Sequence, residues 1–424
     1  MISAMRRRDL ALACVFAVGS LPAQDWPAWR GPAGDGVAPE QSAPLTWDRE
    51  KNIKWKVPLA RPGNGSPIVS RGRIFLTMPG DEGGKKRSLH CFDREDGKQL
   101  WARTVEFDSV MPTHRSNPHC STTPVTDGER VVVWHASAGL YCYSFAGEQL
   151  WQRELGQFRH MWGHGTSPIL HRGRIILHSG PGEKSFVAAF SLATGETIWK
   201  TLEPGQLTAE QIEKKRLVGS WCTPLIHHVE GRDLVLCGQP TRIVAYDAED
   251  GAIVWWCAGV SCERGDLTYS SPVVADDVCL IMGGYVGPSI GVRVDGEGDV
   301  TETHRVWRMA KQMSNCGSGV SVEGHVYIPD MGSLVSCIDA ATGEVAWKKR
   351  VGRGESWGSI IFADGRLYMM SQSGTTFVFE ANSSKLVILA ENELDEPTNS
   401  TPAFSDGEIF LRTHENLYCV APAR

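Results

Sequence analysis

The sequence predicts an all-β fold: an eight-bladed β-propeller of four-stranded antiparallel blades, closed by an N-terminal strand that completes the last blade. Three observations predict it. One sequence phrase recurs eight times, the copies follow one another at about 48 residues, and the last copy lacks a strand that stands unpartnered at the other end of the chain. The composition agrees, with 42% hydrophobic and 22% charged residues in a chain of 424. That excludes a mainly disordered chain, a coiled coil and a polytopic membrane protein. The 45 glycines show no G-X-Y period, so they mark turns.

The phrase is a small residue, Ser or Thr, Pro (Gly or Ile in two copies) and an apolar start, then a short turn and an alternating apolar strand. GSPIVSRGRIFLT from Gly65 and GTSPILHRGRIILH from Gly165 are examples. The anchor positions are Pro67, Pro124, Pro168, Pro224, Pro272, Gly319, Ile360 and Pro402. A second phrase follows: an apolar strand, an Asp-like residue, a turn and a strand carrying Trp. CFDREDGKQLW ends at Trp101, AYDAEDGAIVW at Trp255 and CIDAATGEVAW at Trp347, while Trp151, Trp199 and Trp307 end weaker copies. The seventh copy has Ala390 in place of Trp, and the eighth stops at LYCVAPAR. Its missing strand is Asn52–Leu59, around Trp55. One four-stranded sheet cannot bury both faces, but eight packed radially can. The first and last blades must then meet or leave bare edges.

The ends divide the chain into three: a signal peptide over 1–23, a lead-in over 24–46 and a single propeller domain over 47–424. In the first, Arg6, Arg7 and Arg8 precede the apolar run Leu10–Val18, which is too short to span a bilayer. Cleavage after Ala23 predicts an exported protein of the periplasm or cell envelope. Arg7-Arg8 also resembles a twin-arginine signal, the route for folded cargo. Losing three Arg and one Asp moves the net charge from −6 to −8. That surface gives no reason to bind nucleic acid. No later segment is a candidate transmembrane span, and a monomer is expected.

The seven repeat tryptophans, Trp55, Trp101, Trp151, Trp199, Trp255, Trp307 and Trp347, read as structural blade-packing residues, since a ligand site needs one or two rather than a full ring. Two residues before the Asp-like position stand Cys91, Cys142, Ala189, Ala245, Arg293, Cys337, Val378 and Cys419. Cys exchanging with Ala and Val there behaves as a small buried hydrophobe. Cys257 and Cys262 are the best-placed pair for a disulfide. Asp93, Asp247 and Asp339 precede turns and should accept local backbone N–H groups.

Segments leading into the innermost strands should gather at one channel mouth. They carry His114, Arg115, Asn117 and His119, then His160, Trp162 and His164, then Arg264, Asp266 and Tyr269. Lys311, Gln312 and Asn315 follow, then Glu355 and Trp357, with Asn64 and Asn399 before the first and last strands. Together they outline a polar, aromatic-lined ligand pocket. His119, His160 and His164 are of the residue type for a transition metal, without a diagnostic spacing. The polar stretch Glu203–Val218 reads as a short surface helix inserted between blades three and four.

The TGEVAW and DGKQLW endings resemble the tryptophan-docking repeats of the pyrroloquinoline-quinone (PQQ) propeller superfamily, over roughly 47–421. The lead-in DWPAWRGPAGDG (Asp25–Gly36) is similar to the segment before many bacterial members. The resemblance implies one of two functions. A quinoprotein alcohol or sugar dehydrogenase holds PQQ with calcium in its propeller, whereas a BamB-like scaffold of this size holds no cofactor and binds partner proteins. The chain lacks the vicinal Cys pair of the alcohol dehydrogenases, their long insertions and a C-x-x-C-H haem motif. The expectation is therefore a non-catalytic binding module for an envelope protein or peptide or a small-molecule ligand, without cofactor, metal or catalytic residues. A PQQ-dependent oxidoreductase is the alternative.

Overall fold

A computed structural model describes residues 24–39, 42–182, 185–203, 217–311 and 315–422. The leader, Gln312 and the centre of the inserted segment lie outside them. Eight sheets carry the repeat, and the only helical element among the described residues is the short 3-10 turn Ala136–Ala138. Every innermost strand starts one residue after its anchor: Ile68–Ser70, Val125–Thr126, Ile169–His171, Leu225–Val229, Val273–Ala275, Val320–Val322, Ile361–Ala363 and Ala403–Ser405. Proline suits that place because it cannot donate to a ladder and is tolerated at a strand's start. The eighth blade is split as the sequence requires. Ile53–Pro58 pairs antiparallel with Asn416–Val420, Trp55 opposite Cys419. Ion pairs flank this seam, with Lys54 2.8 Å from Glu408 and Arg94 2.6 Å from Asp406.

The hydrophobic core is a series of clusters between neighbouring blades. Val187 and Trp199 of the third blade meet Val235 and Tyr246 of the fourth, and the circle closes where Met370, Phe410 and Leu76 share one cluster. The repeat tryptophans stand at these joints. Each lies on its blade's outer strand, and its indole N–H donates to a carbonyl of the next blade. Trp101 bonds Phe145 at 3.0 Å, Trp199 bonds Ala248 at 3.1 Å, Trp347 bonds Asn382 at 2.9 Å and Trp55 bonds Arg94 at 2.8 Å. Turn glycines lie against several of these rings. At Gly251, with φ +74°, a Cβ would fall 2.4 Å from the Trp199 indole.

Across the strand, Cys91, Cys142, Cys337 and Cys419 face Trp101, Trp151, Trp347 and Trp55, all as buried thiols. In the fifth blade the register corrects the sequence alignment. Gly291, not Arg293, sits opposite Trp307. Arg293 takes the Asp-like turn position, its N–H bonding His304 at 3.0 Å. Only glycine fits at 291, because a Cβ would lie 2.3 Å from the indole. Cys257 and Cys262 are free thiols rather than a disulfide.

Two local additions depart from the repeat. Gly298–Asp299 adds a fifth, parallel strand to the fourth blade, and Leu217–Ser220 pairs in parallel with Gly265–Thr268. Leu217 and Val218, which the sequence reading assigns to a helix, are extended instead. Glu203, at the start of that segment, is buried and bonds Tyr246, while 204–216 lie outside the described residues.

The lead-in is part of the propeller's packing. Trp26 bridges Val69, the Pro27 carbonyl accepts from Thr126 at 3.0 Å, Arg30 bonds the Gly319 carbonyl, and Val37 bridges Phe362. These partners lie in, or directly before, the innermost strands of blades one, two, six and seven, so the segment lies across one end of the central channel. It then runs along blade seven. Trp47 is 3% exposed, its backbone N–H donates to the Asn392 side-chain oxygen at 2.8 Å, and it joins the cluster that Ala390 borders. A lead-in tryptophan thus fills the joint where the repeat tryptophan is missing.

A candidate ligand chamber on the propeller axis

The Ser/Thr of the repeat phrase builds a closed circle. The backbone N–H of Ser66 donates to the Thr123 hydroxyl at 3.0 Å, and Thr123 N–H to Ser167 at 3.0 Å. Ser167 donates to Thr223, Thr223 to Ser271 and Ser271 to Ser318, at 3.0, 2.9 and 2.9 Å. Ser318 donates to Ser359 and Ser359 to Thr401, at 3.0 and 3.1 Å. Thr401 N–H returns to Ser66 at 3.0 Å. Each blade's N–H is thereby satisfied by the next blade's hydroxyl, which answers the demand of a buried backbone donor. All eight residues are buried. No described residue accepts a hydrogen bond from any of these hydroxyls, so eight O–H donors remain.

Above this circle lies a chamber of about 570 Å³, within the usual range for small-ligand sites. Trp29 of the lead-in contributes to its lining, as do six of the eight hydroxyl residues. One wall is aromatic. Trp162 and Trp221 have ring centroids 5.7 Å apart, Trp221 and Tyr269 5.5 Å, and Trp162 and Tyr285 5.8 Å. The other wall is amide. Asn64 and Asn399 both donate to the Ser116 carbonyl at 2.9 Å, and Asn117 donates to the carbonyls of Trp162 and His164. Asn117 so ties the second blade's loop to the third's.

Of the sequence-predicted residues, His114, Asn117, Trp162, Tyr269, Trp357, Asn64 and Asn399 line the chamber. Arg115, Arg264 and Glu355 are exposed on surrounding loops. Asp266 is buried and accepts from Ser261 at 2.7 Å. Asn315 is buried and donates to the Gly317 carbonyl at 3.0 Å. Lys311 is exposed. His160 stands behind the aromatic wall, edge-on to Trp221 at 4.7 Å. His119 and His164 line a separate cavity of about 20 Å³ beneath the 111–122 loop.

Burial pushes the His160 and His164 imidazoles down to about 4, so both are neutral at pH 7. His164 Nε2 is engaged by the Phe158 carbonyl at 2.8 Å. The three histidines do not converge, and among the described residues no His, Cys, Asp and Glu side chains form a metal-holding set. Sequence reading missed Trp221, Tyr285, Trp29 and the hydroxyl circle. The Ser/Thr signal was visible in every copy, but its alignment into a circle needs the radial packing. Trp221 and Tyr285 carry no repeat signature.

PQQ carries three carboxylates and needs cationic partners and a calcium ion. Among the described residues the chamber lining includes no Lys, Arg, Asp or Glu. Cys316 is a thiol pushed by burial up to about 12. The residues present do not fit PQQ with calcium.

A family model described as outer membrane protein assembly factor BamB matches residues 85–286, 292–387 and 332–422. BamB of Yersinia pestis is 22% identical over 279 residues, 62% of this chain and 64% of that protein. BamB of Bordetella pertussis is 23% identical over 301 residues, 68% of this chain and 66% of that protein. The match thus spans less than two thirds of either relative. Among solved structures, the quinohemoprotein alcohol dehydrogenase of Comamonas testosteroni superposes with a TM-score of 0.66 at 12% identity, covering 95% of this chain and 81% of that one. BamB of Moraxella catarrhalis superposes with a TM-score of 0.59 at 13% identity, covering 87% and 97%. These likenesses establish the shared propeller.

Proposed function

The chain belongs to the PQQ-like propeller family whose model is described as outer membrane protein assembly factor BamB, and on that premise we propose that it is a non-catalytic binding module of the cell envelope. The observation that carries this reading is the axial chamber. It has the volume of a ligand site, yet among the described residues its wall carries no acid–base pair, no activated nucleophile and no cofactor-neutralising charge. The relatives named as assembly factors favour a role in holding a partner, an envelope protein or peptide, while the chamber holds a small ligand. The reading of Met1–Ala23 as an export signal places the module beyond the inner membrane. Among the described residues no helix is long and apolar enough to cross one.

The test is a titration of the purified protein with PQQ and Ca²⁺, following thermal stability and dye reduction with alcohols and sugars as donors. A cofactor in large excess over its Kd adds several kcal/mol of stability. The expected result is no shift and no dye reduction. A shift with dye reduction overturns the reading in favour of a quinoprotein oxidoreductase.

A further inference from the structure

Resting on that reading of the chamber as a binding site, we propose that its occupant is a neutral saccharide, stacked on the Trp162–Trp221–Tyr269–Tyr285 wall and hydrogen-bonded to the hydroxyl circle. Charge sets the first limit. A charged ligand taken from water into this lining would find no opposite charge among the described lining residues, and burying an unpaired charge is costly.

Polarity sets the second. One side of the chamber is a continuous aromatic surface, with rings 5.5 to 6.3 Å apart and already packed on one another. It offers a rigid platform whose ordering cost is met before a ligand arrives. The hydroxyl circle offers O–H donors that no described residue accepts. A hydrocarbon or an oxygen-free aromatic would use the platform and leave those donors unpaired. A peptide presents as many N–H donors as carbonyl acceptors, but the chamber's amides are committed. The Asn117 amide donates to two backbone carbonyls, and the Asn399 oxygen accepts from Gln372 at 2.8 Å. A saccharide presents both required surfaces, an apolar C–H face and a rim of oxygens that accept O–H donors.

The experiment titrates the full mature chain with maltotriose, cellotriose and tri-N-acetylchitotriose, with coumarin as a neutral aromatic control. Intrinsic tryptophan fluorescence and calorimetry report binding. At least one saccharide is expected to saturate with a Kd of about 10 µM to 1 mM and to raise the melting temperature. Tyr285→Leu and Trp162→Leu are each expected to weaken it at least about tenfold, while circular dichroism and melting without ligand show a folded protein. Unchanged Kd in both folded variants overturns the proposal. Saturation by coumarin with no response to any saccharide overturns it too, leaving the chamber as a binding site. Silence of all four probes in folded protein overturns the saccharide and the ligand role of the chamber together.

Discussion

Gly291 and Trp199 illustrate how single positions hold the blades. Gly291→Ala places a methyl group 2.3 Å from the Trp307 indole, with no flexible chain end to yield. It should destabilise by about 1–3 kcal/mol through overpacking, read as a lower urea midpoint at unchanged slope. Trp199→Ala empties a buried joint and removes a bond to the next blade. The expected loss is about 3–5 kcal/mol by the same measurement. Histidine burial predicts a pH dependence. His160, His164, His178 and His414 are pushed by burial from 6.5 down to about 4. Below pH 6.5 the unfolded chain binds protons that the folded chain does not, so stability is full above that value and falls as pH drops toward 4. Urea titrations at pH 7, 6, 5 and 4 should show a falling midpoint, and a constant one would contradict the neutral burial. At this scale the sequence was partly legible. The tryptophan position could be aligned because seven copies repeat it, and the cysteine position because four copies carry it at a fixed distance from the turn. The fifth blade misled because Asp295 lies two residues beyond the true turn position, and only strand pairing reveals the glycine.

Among the elements, the innermost strands show why a Ser/Thr-Pro pair recurs. Proline opens the strand, and the hydroxyl before it receives the neighbouring blade's N–H. Thr223→Val keeps the shape and removes the acceptor for the buried Ser167 N–H. Leaving that donor unpaired should cost about 1–3 kcal/mol, seen as lowered thermal stability. Thr223→Ser should retain most of it. The lead-in was legible only as a likeness to segments before other propellers. Its docking uses irregular backbone contacts and single side chains, Trp26, Trp29, Arg30 and Trp47, with no period to read. Arg30 is 1% exposed and donates to the backbone carbonyls of Asp35 and Gly319, and burial, opposed by the Asp35 charge, lowers its guanidinium to about 10. A sequence-level rule that charges stay outside would have placed it on the surface. The inserted segment gave the opposite error, because polar composition suggested helix where Leu217 and Val218 form a strand.

The whole molecule is a ring whose two ends share one sheet. Deletion of residues up to Pro58 removes the outer strand of blade eight and exposes the cores of blades seven, eight and one. Melting temperature should fall for the entire protein in one transition. Survival with unchanged stability would contradict the shared sheet. Architecture was legible because count, spacing and the split blade are independent signals of one closure. The chamber was legible only in part. Sequence order tells which loops face the mouth, but not which side chains turn inward, so His114, Asn117, Trp162, Tyr269 and Trp357 reach it while Arg115, Arg264 and Glu355 do not.

The way the two ends meet also fixes how the ring responds to force. Ile53 lies opposite Val420 and Pro58 opposite Asn416, so both chain ends leave the ladder at the same rung. Tension between the termini, once the lead-in has peeled away, therefore falls on Ile53 and Val420 alone and opens the seam like a zipper, rung after rung. A ladder pulled in the opposite sense would share the load across all its bonds. Stretched from its ends, this ring should yield first at the seam and at low force, and the remaining blades should then unravel from that one gap.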